Sequence, residues 1–547
     1  MGRVLATLLV VLATSAAAEP TGVVFGDDNG NGVRDSGEAP RRGIAVTNGR
    51  DVVVTGVDGR YRLRERAGAF VRITCPADGH CPVWFRRGSG DFAIAPRLPV
   101  SDFFFVHMSD VHAYPSVEDL AGLLPSGGIP WWLPRNVVGW FLLRRLAQSY
   151  SDLSESEIAG HLRVVVSKYR PAADSWDTTV MMDYVDLASD PANGLVTPAL
   201  DIPRAFEEVA ALEPAFVVNT GDLILEGNNG DADSVERWYR YYTDVAEASG
   251  LEIYETIGNN ELAGTDNKRF LPSDPRYGKR LYRKYFGPTH YSFDRGAFHF
   301  VALDSHRREF EPGEQEAWSF YDMAPEVRAW LEADLRASSG RQAILLNHEP
   351  FHYDPSWDFE DPRVVEDDGL LEKYSVAYTL TGHIHRNGFQ DAPAGGGTTH
   401  ITTGAVSGFR WSLPTRFDAR GYRLVFVHGA RLYSAWKELD RPLLGFIDPK
   451  PEARHHPAST HPAAADRLRG TVSVVAVACD VDGPFEELQL FLGDEPLATT
   501  RWGDYFMHAS FEAAVLGADP SFLELQAIGR DGVLQRKRLA VSKNPAP

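Results

Sequence analysis

Phe216-Val217-Val218-Asn219-Thr220-Gly221-Asp222 is a short apolar run that breaks at a glycine and a carboxylate. Its hydrophobic residues do not alternate, the pattern of a strand covered on both faces. Four more segments end in the same way. Phe103–Ser109 is followed by Asp110-Val111-His112, Ile253–Ile257 by Gly258-Asn259-Asn260-Glu261, Ala343–Leu346 by Asn347-His348, and Val376–Thr381 by Gly382-His383-Ile384-His385. Helical patterns lie between them. Val235, Trp238 and Tyr242 form one stripe closed by Gly250; Val327, Trp330, Leu331 and Leu335 form another. Strand–helix alternation predicts an α/β layered domain. In open α/β sheets ligands gather beyond the carboxyl ends of strands, so these distant segments are expected to converge.

The side chains at the five strand ends form a ligand set: Asp110, His112, Asp222, Asn259, His348, His383 and His385. Hard oxygens beside borderline imidazoles suit paired Mn, Fe or Zn ions, and the set lacks the thiolates of a structural zinc site. The glycines before Asp222, Asn259 and His383 are read as tight turns that let a side chain point inward. Asp-x-His and His-x-His are read as pairs on one side of an extended segment.

The surroundings bound the class of molecule. The 547 residues carry a net charge of −20, which argues against a nucleic-acid backbone as partner. Arg3, the apolar run Val4–Leu12 and Ala16-Ala17-Ala18 read as a signal peptide over residues 1–18, hence a secreted or periplasmic protein. No later stretch has the roughly 20 apolar residues of a membrane helix, so no transmembrane anchor is expected. Residues 19–98 read as a small β-sandwich, with alternating runs split by Asp58-Gly59, and 99–447 as the α/β domain. Residues 448–466 read as a Pro/Ala/His linker whose His455, His456 and His461 are solvated, and 467–547 as a second β-sandwich. Cys75 and Cys81 flank a turn-like stretch and either pair or stay free thiols; Cys479 is left over and expected to be buried.

The order Asp-x-His, Gly-Asp, Gly-Asn-x-Glu, His, Gly-His-x-His resembles the calcineurin-like metallophosphoesterases over roughly residues 102–440. Tyr291–Asp294, Leu303-Asp304-Ser305, Thr402–Gly404 and Gly408-Phe409-Arg410-Trp411 also look like secreted bacterial members with β-rich domains on both sides. The resemblance implies a four-layer α/β/β/α sandwich flanked by two all-β sandwiches. It implies one metal on Asp110, His112, Asp222 and His385 and another on Asp222, Asn259, His348 and His383, with Asp222 bridging. It also implies hydrolysis of a phosphomonoester or phosphodiester by a bridging hydroxide. The family usually has histidine where this chain has Asn260, in contact with phosphate or leaving group. An amide donates a hydrogen bond but no proton, so good leaving groups are expected to be favoured. His306 and His352 are alternative proton donors. The contrasting reading, supported by Asn260, is a cell-surface binding protein with a degenerate metal site.

Two further segments stand out. The stretch from His112 to Asp222 holds an insertion, about 113–200, with Trp131-Trp132-Leu133-Pro134 and Trp140-Phe141-Leu142-Leu143-Arg144-Arg145-Leu146. It reads either as a lid selecting a small-molecule or lipid-like phosphoester or as extra core packing. Asp27–Glu38 fits the twelve-residue calcium-loop pattern, with Asp27, Asn29, Asn31, Val33, Asp35 and Glu38 at its liganding positions.

Overall fold

The computed structural model describes residues 19–115, 198–267, 269–306, 323–352, 365, 368–390, 397–406, 420–448, 467–468, 471–481, 483–516 and 521–543. The expected signal peptide, nearly all of the insertion, the linker histidines and Gly408–Trp411 lie outside these residues. By internal contact the chain divides into residues 1–98 with Ala329–Ser338, and residues 99–328 with 339–547.

The first unit holds two four-stranded sheets. One has the order 60–62, 21–26, 92–96, 79–80, and the other 52–54, 45–47, 70–73, 85–87. Alternate residues face a shared core of Val24, Val46, Tyr61, Val71, Ile73, Phe92 and Ile94. A Cys75–Cys81 disulfide closes the loop between two strands.

In the second unit two sheets carry the candidate site. Their strands are β1 (Asp102–Met108), β2 (Val217–Asn219), β3 (Ile253–Glu255), β4 (Tyr291–Arg295), β5 (Phe298–Ala302) and β6 (Gln342–Leu346). They continue with β7 (Tyr378–Thr381), β8 (Gly388–Gln390), β9 (Thr399–Thr402), β10 (Gly421–His428) and β11 (Arg431–Glu438). The five-stranded sheet runs β3-β2-β1-β10-β11, the six-stranded sheet β4-β5-β6-β7-β9-β8. β1, β2 and β3 are parallel, as are β5, β6, β7 and β9.

Aromatic rings join the two sheets. Phe105 of β1 and Phe216 at the start of β2 meet Phe300 of β5 edge-on, and Tyr254 of β3 stacks on Phe293 of β4 at 3.7 Å. The other face of the first sheet, with Val106, Met108 and Val217, shares one core with α1 (Pro198–Ala211) and α2 (Ala232–Ser249). Burial on both faces is why β1 and β2 read as unbroken apolar runs. α2 begins where Asp231 accepts from the amides of Asp233 and Ser234, and ends at Gly250 in the left-handed conformation. It buries Val235, Trp238, Tyr239 and Tyr242.

The C-terminal residues form two further sheets around Val474, Ala476, Leu490, Leu523 and Leu525. Strand Leu443–Asp448 belongs here. It pairs antiparallel with Thr471–Cys479, so this sheet starts before the boundary read at residue 447. Pro449 had suggested the break, yet the preceding residues pair across it. The same sheet shares a core with β10: Phe426 stacks on Phe506 at 4.9 Å and Trp502 at 5.6 Å, and the Tyr505 hydroxyl donates to the Leu212 carbonyl at 3.1 Å. Cys479 is buried within it, and its thiol is pushed up to about 12 by burial.

Candidate metal centre

The candidate ligands follow the carboxyl ends of five parallel strands. Asp110 and His112 follow β1, Asp222 follows β2, Asn259 follows β3, His348 follows β6, and His383 and His385 follow β7. Their donor atoms fall into two overlapping groups, one of Asp110, His112, Asp222 and His385, the other of Asp222, His348 and His383. Within each group the ligand atoms all lie within 4.8 Å of one another.

The backbone at these residues departs from what the sequence suggested. Asp110, His112, Asp222, His383 and His385 have φ of 54°, 49°, 51°, 67° and 54°. Neither x-spaced pair is extended. Among the described residues nine non-glycine residues have positive φ, and these are five of them. Each left-handed residue costs on the order of 1 kcal/mol or more, so their concentration marks a site whose geometry is imposed by its surroundings.

The glycines act by size more than by turning. Of Gly221, Gly258 and Gly382, only Gly221 has positive φ, 99°. A Cβ on Gly258 would strike the Asp222 carboxylate and backbone nitrogen, and one on Gly382 would strike Ser109 Oγ and lie 2.6 Å from Asp110 Oδ2. These positions let neighbouring chains pass close enough for the ligands to meet.

Glu261, in the motif but given no role by the sequence, ties two of the loops together. Its buried carboxylate accepts from the backbone amides of Gly258, Asp222, Leu223 and Ile224 at 2.7–3.2 Å. The available signal was its place three residues after Gly258, the spacing of a capping box.

The donor chemistry asks for positive charge. His348 Nδ1–H donates to the Thr220 carbonyl at 2.7 Å, which leaves Nε2 as an acceptor 3.2 Å from Asp222 Oδ2 and 3.2 Å from His383 Nδ1. His112 Nε2 and His385 Nε2 stand 3.1 Å apart, and His385 Nε2 is 3.0 Å from Asp110 Oδ1. Asn259 Oδ1 is buried and accepts no hydrogen bond among the described residues. Burial opposes a charge on His348, but the Asp222 carboxylate outweighs it and raises the imidazole well above its usual value, so a positive charge at Nε2, a proton or a metal ion, is favoured. Burial, with His385 second, lowers His112 to about 4. Such acceptors fit metal ions.

Asn260 is 4% exposed and its side chain faces His112 and Asn259. Of the two alternative proton donors, His352 stacks on His400, 5.5 Å between ring centres. His306 is 1% exposed within a second buried charge cluster beyond β5: Nε2 lies 2.8 Å from Glu349 Oε1, and Asp304 is held by Lys279 Nζ at 2.7–2.8 Å. Ser305 Oγ also donates to Glu349.

Residues 198–387 match the calcineurin-like phosphoesterase family. The chain carries a calcineurin-like phosphoesterase domain. The matched segment contains every candidate ligand except Asp110 and His112. A dimetal phosphatase from Danio rerio is similar in structure, at 16% identity and a TM-score of 0.33, covering 44% of this chain and 87% of its own. A purple acid phosphatase from yellow lupin (Lupinus luteus) seeds is 13% identical, with a TM-score of 0.32, covering 72% of this chain and 66% of its own. GAP50, the anchor in the inner membrane complex of Plasmodium, is 12% identical with a TM-score of 0.31 over 62% of this chain and 85% of its own. No curated protein sequence matches the chain. The matched domain holds a buried His/Asp cluster able to bind metal ions, and the family match supports a phosphoesterase.

Proposed function

We propose that this chain hydrolyses a small-molecule phosphomonoester or phosphodiester outside the cytoplasm, at a pair of Mn, Fe or Zn ions. Asp110, His112, Asp222 and His385 would hold one ion, and Asp222, Asn259, His348 and His383 the other. The observation that carries this reading is that the two buried donor groups share one residue, Asp222. When bound, such ions neutralise phosphoryl oxygens and acidify water. The chain's own contribution is to fix the donors: Glu261 clamps the Asp222 and Asn259 loops, and the Thr220 carbonyl sets the His348 tautomer. Asn260 has no proton to give, so esters with good leaving groups are the favoured substrates.

The wider reading completes this picture. Helices outside the two sheets would make a four-layer α/β/β/α sandwich, flanked by all-β sandwiches at 19–98 and 467–547. Residues 1–18 would direct export; no described helix is long and apolar enough to cross a membrane. The insertion at about 113–200, nearly all outside the described residues, would serve either as a lid over a lipid-like substrate or as extra core packing, and equal rates on long- and short-chain esters would refute the lid. The Asp27–Glu38 loop would take calcium. Its Asp27 carboxylate accepts from the Asn31 and Gly32 amides, and Glu38 from Asp28 and Asp35. Calorimetry without a heat signal at millimolar calcium would dismiss it.

The main test is hydrolysis of p-nitrophenyl phosphate and bis-p-nitrophenyl phosphate with added manganese. Wild type is expected to be active and Asp222→Asn to lose at least about a hundredfold, as removal of a shared ligand should. An equally active variant would refute the assignment.

A further inference from the structure

Asn260 stands between the two groups of donors. Its backbone N–H donates to Asp222 Oδ1 at 2.9 Å, which pins the residue. One end of its side-chain amide lies 3.1 Å from His112 Nδ1, and the other 2.9 Å from Asn259 Nδ2. His112 belongs to one donor group; Asn259 follows β3, in the loop that Glu261 ties to Asp222.

A neutral imidazole carries one proton. If Nε2 binds a metal, Nδ1 carries it and needs an acceptor. Asn259 likewise offers its NH2 group as a donor when its oxygen binds a metal. Both neighbours of Asn260 then donate. An amide has an acceptor at one end only, so whichever way Asn260 is turned, it satisfies one neighbour and confronts the other with its own N–H. In the present arrangement Oδ1 accepts from Asn259, leaving the Asn259 oxygen buried without a hydrogen bond among the described residues. Nδ2 then donates to His112 Nδ1, which puts the imidazole proton on Nε2, facing His385. The Asn259 side is thus arranged for a cation, and the His112 side is arranged for a proton.

We infer that Asn260 is a positioning residue that makes the two ions bind in order: the Asn259–His348–His383 side first, and the His112–His385 side second and more weakly. Filling the second side moves the His112 proton to Nδ1 and requires the Asn260 amide to turn, which withdraws the acceptor from Asn259. This inference rests on the dinuclear reading proposed above and adds the coupling within it.

The test is a calorimetric titration of the metal-free, full-length protein with manganese, in excess calcium so that the Asp27–Glu38 loop does not contribute. Wild type is expected to show two steps whose dissociation constants differ by about tenfold or more, the usual scale for an outer-shell partner of a metal ligand. Asn260→Asp offers an acceptor at both ends, so the gap is expected to close to about threefold or less. Its added charge alone would tighten both steps and preserve the gap. Asn260→Ala removes the shared amide and is also expected to close the gap, with both steps weakened; it tests the idea even if the aspartate variant does not fold. A gap of unchanged width in both variants, or two equal steps in wild type, overturns the coupling while leaving two metals in place. No manganese binding by wild type overturns the dinuclear reading and this inference together.

Discussion

A methyl group at position 382 has nowhere to go. It would overlap Ser109 Oγ and crowd the Asp110 carboxylate, so the turn carrying His383 and His385 would have to move away from β1. Gly382→Ala is expected to cost on the order of 1–3 kcal/mol through overpacking and about a hundredfold in p-nitrophenyl phosphate hydrolysis through misplaced ligands. Activity within twofold of wild type would show that the ligand loops tolerate the shift. At this scale the sequence showed which side chains would gather and misread the backbone that gathers them. Gly-Asp and Gly-His-x-His pointed to ligands because residue type and strand-end position are visible in a single chain. The close approach of Ser109 to Gly382 joins residues 273 positions apart and is invisible there. So is the left-handed backbone at Asp110, His112 and His385, because it is imposed by neighbours rather than by the residue itself.

Elements were read better than their joins. The runs that became β1, β2 and β6 declared themselves by unbroken hydrophobicity, and α2 by its stripe and Gly250. Glu261 was passed over because its four partners are backbone amides, which leave no mark on composition. The carboxylate offers two acceptor oxygens to four donors, so an isosteric amide is a severe change. In Glu261→Gln the NH2 end must face two of those amides, whichever way it turns. The expected loss is about 3 kcal/mol, from leaving buried donors unpaired. A urea-unfolding midpoint unmoved from wild type would remove the clamp from the account. Strand Leu443–Asp448 was assigned to the wrong side of a boundary because Pro449 reads as a break, and pairing across a gap of more than twenty residues cannot be seen locally.

For the whole molecule, the charge cluster beyond β5 sets a pH dependence. Burial alone would lower His306, but the Glu349 and Asp304 carboxylates hold it up at about 9. Because the folded value lies above the unfolded value of about 6.5, the unfolded chain binds fewer protons between them. The stabilisation is therefore complete below about pH 6.5 and lost as pH rises through about 9. Roughly 3 kcal/mol is the upper limit for such a shift. Urea unfolding of the metal-free protein is expected to shift to lower midpoint between pH 6.5 and 9.5, and less so in His306→Gln. Identical slopes in both would assign the loss to other groups. The sequence offered His306 only as an alternative proton donor, since nothing in it announces a salt-bridged interior.

The stacking of Phe426 on Phe506 and Trp502 has a practical corollary. A fragment excised at residue 447 would carry most of an unpaired strand and a naked aromatic patch on the back of β10. Exposed edges and oily faces invite self-association, so such a fragment should clump even with its ligand loops intact. Catalysis and the C-terminal sheets must then be inherited, expressed and lost together.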